Sequence, residues 1–79
     1  MQIIDYKGNN ETLIDFGLGV QKFFSYQTAV CATLASGETV KTSTWYSQTT
    51  TKHINRYLRS LGLDPKQVRE VPQETINNI

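Results

Sequence analysis

The residues best suited to chemistry lie in one stretch of the chain. Lys41, Lys52, Arg56 and Arg59 follow one another with no acid between them, and Trp45 and Tyr46 stand between the first two. On a helix at about 100° per residue, Lys52, Arg56 and Arg59 fall within about 60° of one another. Cations hold phosphates and an indole stacks on bases, so Lys41, Trp45, Lys52, Arg56 and Arg59 form a candidate nucleic-acid interface. The same pattern also describes a solvated helix back, with Trp45 as a core anchor or a lid on the helix end.

Other chemistries find little support in the residue types. Cys31 and His53 are the single cysteine and the single histidine. A thiolate nucleophile needs a base within hydrogen-bond reach, and nothing in the spacing brings these two together. One His, one Cys and scattered carboxylates match no zinc, calcium or di-metal spacing. The seven acids are dispersed, five of them in or beside expected turns or the tail, so no pair is set up for acid–base work. Gly17-Leu18-Gly19 lacks the third glycine and the following helix of a phosphate-cradling loop. The expectation is a protein without catalytic residues, metal or cofactor.

The elements that must position the basic stretch read as follows. Residues 2–6 are a short strand, and Lys7-Gly8-Asn9-Asn10 is a turn. Ile14, Phe16, Leu18 and Val20 alternate with Asp15, Gly17 and Gly19, a half-buried strand whose glycines mark a bulge or bend. Phe24, Tyr26, Thr28, Val30, Ala32 and Leu34 occupy even positions of the strongest strand, with Cys31 on the outward phase. Ser36-Gly37-Glu38 turns the chain into an outer strand, 38–44, where Lys41 guards an edge. Ile54, Tyr57, Leu58 and Leu61 at i, i+3, i+4 and i+7 define the main helix, about 50–61, capped by Thr and ended by Gly62 with Leu63 folded back. The stretch 64–71 is open between a short helix begun by Asp64-Pro65 and a terminal strand ended by Pro72. One further turn can follow, with Ile76 and Ile79 on one side.

The predicted fold is α+β: an antiparallel sheet of three to four strands with one face on the main helix, then a short C-terminal strand and turn. The predicted interior is Ile14, Phe16, Phe24, Tyr26, Val30, Leu34, Val40, Ile54, Tyr57, Leu58 and Leu61. Seventy-nine residues suffice for one small domain, 1–79. Ser, Thr, Asn and Gln number 26, ten of them Thr, against 15 charged residues, which suits a sheet with a wet face. A net charge of +1 argues against wrapping nucleic acid by bulk electrostatics. No apolar run reaches the ~20 residues of a membrane span, the N-terminus lacks a signal peptide's pattern, and a lone cysteine fits a reducing compartment, so the expected location is the cytoplasm.

Phe24-Ser25-Tyr26-Gln27-Thr28-Ala29-Val30-Cys31 and Trp45-Tyr46-Ser47-Gln48-Thr49-Thr50-Thr51-Lys52-His53-Ile54-Asn55 carry a resemblance. They are similar to a pattern of short uncharacterised proteins encoded by phages, prophages and plasmids: Ser-Tyr-x-Thr-x-Val, a glycine turn, then aromatic-Ser-x-Thr-Thr-x-Lys/Arg-His-x-Asn. Val71-Pro72-Gln73-Glu74 also fits, and it favours the strand over the helix at 67–71. Cys31 departs from the small residue usual there. The resemblance implies a mobile-element origin and transfers no catalytic residue. The Ser/Thr/His/Asn block has a structural use, satisfying the helix start and tying it to the hairpin. The expected function is a non-enzymatic accessory protein that binds a host or viral protein in the host cytoplasm. The alternative is a nucleic-acid binder using the basic helix face, and a sheet edge on so small a core also suggests a homodimer.

Overall fold

The computed structural model describes residues 2–5 and 10–79. Strands β1 (Gln2–Asp5), β2 (Glu11–Gly17), β3 (Val20–Ser25), β4 (Thr28–Thr33) and β5 (Thr39–Thr42) are followed by helix α1 (Gln48–Ser60), strand β6 (Arg69–Val71) and the short helix α2 (Gln73–Asn77). The six strands lie side by side in chain order. Every neighbouring pair is antiparallel except β5 and β6, which run parallel. A parallel pair needs a long crossover, and α1 supplies it. The architecture is α+β as expected, but with six strands in a mixed sheet rather than three or four antiparallel ones. The turn expected at 7–10 falls outside the described residues except for Asn10.

Two chain reversals account for the extra strands. Leu18 and Gly19 form a two-residue hairpin loop with both φ angles positive, 55° and 82°, the signature of a type I′ turn. Tyr26-Gln27 reverses the chain between β3 and β4, with Tyr26 at φ 57°. A Tyr-Gln pair carries none of the usual turn chemistry, so the sequence reads there as one continuous strand. The backbone N–H of Tyr26 donates to the Asn10 carbonyl at 2.7 Å, holding the reversal against the start of β2.

The alternation also breaks inside β4. Phe23 pairs with Cys31 and Phe24 with Ala29, which leaves Val30 as the extra residue of a bulge. A bulge sets two consecutive side chains against one partner and shifts the phase of the strand. Val30 and Cys31 therefore both join Phe23 beneath α1, together with Ile54, Tyr57 and Leu58. The Phe23 and Tyr57 rings stack with centroids 4.3 Å apart and planes 4° from parallel. Cys31 is fully buried rather than outward-facing. Burial pushes its thiol up to about 12, against a smaller downward pull from Lys41.

The sheet is covered on both faces, where one was expected. Ala29, Ala32, Val40, Val71 and Ile76 form a second cluster, with Phe24 packed against it and α2 contributing Ile76. Of the predicted interior, Val30, Val40, Ile54, Tyr57 and Leu58 are buried, while Ile14, Phe24 and Leu34 are half-buried. Phe16, Tyr26 and Leu61 are exposed. Phe16 lies where the β2–β3 register slips, Tyr26 is in a turn, and Leu61 follows the last helical residue. The tail follows the strand alternative, with Pro72 between β6 and α2.

Candidate binding surface

Helix α1 begins two residues earlier than the periodicity indicates, because Ser47 and not a threonine is its cap. The Ser47 side chain accepts from the Thr50 backbone N–H at 3.1 Å, and its carbonyl accepts from the Thr51 hydroxyl at 3.1 Å. At the far end, Leu63 N–H donates to the Leu58 carbonyl and Gly62 N–H to the Arg59 carbonyl. With Gly62 at φ 78°, this is the Schellman arrangement that the Gly62-Leu63 pair suggests.

The Ser/Thr/His block ties this helix start to the β3–β4 hairpin, as its composition implies. Ser25 Oγ lies 2.8 Å from His53 Nδ1 and donates to Thr50 Oγ1 at 3.2 Å. The Tyr26 ring tilts over the His53 ring at 5.8 Å. A serine on an imidazole is also how a nucleophile is activated. Here both residues are buried, and among the described residues no carboxylate orients His53. The contact fastens the start of α1 to β3. Cys31 lies in the core, where burial keeps its thiol protonated. No cluster of three or more His, Cys, Asp or Glu among the described residues is placed to hold a metal.

The loop from β5 to α1 carries the aromatic pair. Ser43 N–H donates to the Val71 carbonyl at 2.8 Å, and Thr44 N–H to Thr42 Oγ1 at 3.1 Å. Tyr46 OH donates to Gln73 Oε1 at 2.8 Å, while Gln73 Nε2 donates to the Ala29 carbonyl at 2.6 Å. Backbone and side chain thus hold the loop on both flanks, yet Trp45 is 70% exposed. Trp45 is neither a core anchor nor a sealed lid, because Ile54, Tyr57 and Leu58 already fill the space under the helix.

Two hollows open on either side of Tyr46. One, about 170 Å³, has Ile54 and Thr50 at its base and Trp45, Lys41, Asn55 and Glu70 among its walls. The other, about 210 Å³, lies over Ser25 and Thr50 and is bordered by Tyr26, Tyr46 and Ser47.

The candidate cations separate into three situations. Lys41 is not on an edge, since β5 lies between β4 and β6, and its Nζ donates to the Pro65 carbonyl at 2.7 Å. Arg56 is on the outer face of α1 but reaches Glu11 on β2 at 2.7 Å, a pair in which Arg56 is 46% and Glu11 2% exposed. Lys52 and Arg59 are exposed and enter no ion pair among the described residues. Sequence order hides the Arg56–Glu11 pair, whose partners are 45 residues apart. It also hides Asn55 and Glu70, which only the fold brings to the groove beside Trp45.

No helix among the described residues is long and apolar enough to cross a membrane. The chain matches no curated protein and no solved structure. Residues 3–78 match the profile of DUF8033, a family of unknown function. That span takes in every described strand and helix but the first residue of β1, and the chain belongs to this family.

Proposed function

We propose that this protein is a non-enzymatic accessory factor of a mobile genetic element, whether phage, virus or plasmid, and that it acts in the host cytoplasm by binding a macromolecular partner. The contact surface is the Trp45–Tyr46 loop with the hollows on its two sides. One observation carries the reading: the chain's single tryptophan is held out in solvent by a loop fastened on both flanks. Leaving an indole in water forfeits burial that a small core can ill spare, and tryptophan and tyrosine are the residues that anchor interfaces. The resemblance of 24–74 to phage, prophage and plasmid proteins supports the origin. Two copies of the chain are the simplest such partnership, which a mass of twice 9.0 kDa in light scattering would identify. A photo-crosslinking amino acid at position 45, expressed in a host cell, should yield a discrete adduct. The same probe at Leu61, exposed at the other end of α1, should not. Equal adducts from both positions, or none from either, would remove the surface.

A second reading has its own observation. Lys52 and Arg59 stand exposed on the flank of α1, with no acidic partner among the described residues, where a phosphate backbone can be held. Affinity for a nucleic acid that falls steeply with added salt would support it.

A further inference from the structure

From the groove beside Trp45 we infer a single-nucleobase site for an unpaired DNA or RNA strand, an inference that rests on the second of the two readings above. Four features of the groove point to this ligand. Trp45 offers an exposed indole face, and Ile54 gives an apolar base. Asn55 and Glu70 line the same hollow, and neither side chain makes a hydrogen bond within the described residues. An amide and a carboxylate are the side chains that pair with base edges: the amide donates and accepts, and the carboxylate takes exocyclic amino protons. At about 170 Å³ the hollow is smaller than the ~300–1,000 Å³ clefts of drug-sized ligands, a size that suits one planar ring.

The cations are placed for the flanking phosphates. On α1, Lys52 lies three residues before Asn55 and Arg59 four after it, so both are surface neighbours of Asn55. Arg56, turned toward Glu11, is taken out of that row. A strand that seats a base against Trp45 would run its backbone past both Lys52 and Arg59. A duplex cannot do this, because its bases are already stacked and paired. Hence the ligand is single-stranded, and one stacked base with few phosphate contacts suits a protein of net charge +1.

The test uses ten-nucleotide oligoadenylates, deoxy and ribo, the matching duplex, and a ten-unit abasic strand of equal charge. Binding is followed by Trp45 fluorescence and by anisotropy of a labelled strand. The base-bearing single strands should quench Trp45 and bind at least about fivefold more tightly than the abasic strand, the lower end of what base–aromatic stacking supplies. Trp45→Ala, followed by anisotropy, should erase that difference, and Asn55→Ala should reduce it. Lys52→Gln and Arg59→Gln should each lower the salt slope by about 0.7. Circular dichroism will confirm that each variant is folded. The deoxy and ribo arms decide which polymer is preferred. Equal affinity for abasic and base-bearing strands, unaltered by Trp45→Ala, would overturn the base site and leave the phosphate-binding reading standing. Absence of binding to every strand at low salt would overturn both and return the surface to a protein partner.

Discussion

Alkaline pH tests the placement of Cys31, and with it the β4 bulge. In the unfolded chain this thiol has the ordinary value of 9.0, whereas burial raises it to about 12 in the fold. Between those values the native state keeps a proton that the unfolded state gives up. The contribution is therefore complete below the unfolded value, and stability falls as pH rises through about 9 toward about 12. At pH 10.5 the unfolded thiol is about 1.5 pH units past its midpoint, which at about 1.4 kcal/mol per unit amounts to about 2 kcal/mol. At pH 8 the loss is close to zero. Tyrosines and lysines titrate in the same range, so the useful quantity is a difference between proteins. Urea unfolding of the native chain and of Cys31→Ala at pH 8 and pH 10.5 should show the native chain losing about 2 kcal/mol more than the variant. A loss that is the same in both would refute the burial of the thiol. Labelling of the folded protein by a thiol reagent as fast as that of the unfolded chain would do so as well.

Two further outcomes follow from the packing. Leu58 is fully buried between α1 and the sheet, so Leu58→Ala should cost about 2–5 kcal/mol, measured by urea denaturation, a large part of what so small a domain has. Leu18 is 95% exposed in a left-handed backbone conformation, so Leu18→Asn should relieve strain without losing burial. The gain should be about 0.5–1 kcal/mol, raising the melting temperature by about 2–8 °C; a fall instead would mean that the exposed leucine makes contacts that matter to the fold.

Much of the architecture was open to reading in the residues, and the exceptions share a cause. The main helix declares itself through Ile54, Tyr57 and Leu58, and its end through Gly62. The β4–β5 hairpin announces itself at Gly37. Local signals of this kind act over one or two turns of chain. By contrast, Tyr26 adopts a conformation usually left to glycine or asparagine, so its turn leaves no trace in composition. The bulge at Val30 turns an odd position inward while the alternation on paper still runs even. Both depend on what lies across the sheet: Asn10 holds the Tyr26 reversal, and Phe23 faces the doubled residues. The binding surface divides in the same way. That Lys52, Arg56 and Arg59 stay on the outer side of α1 follows from helical spacing alone. That Arg56 is claimed by Glu11, that Lys41 caps a carbonyl, and that Asn55 and Glu70 meet beside Trp45 are products of contacts between distant segments.

The parallel strand at the end of the sheet sets an order of assembly. Thr33 and Thr39 meet across a six-residue separation, whereas Val40 and Arg69 are 29 apart in sequence. Closing the larger loop costs about 1.4 kcal/mol more in chain entropy, which a three-residue ladder, the burial of Val71 and Ile76 and the hydrogen bonds of Gln73 repay only once the loop is closed. By sequence separation, strand β6 and the helix after it are expected to join after the meander of hairpins. When they lift away, β5 becomes a bare edge and Val40 loses its cover. An edge bared in this way is open to the terminal strand of another chain, the geometry that domain exchange uses.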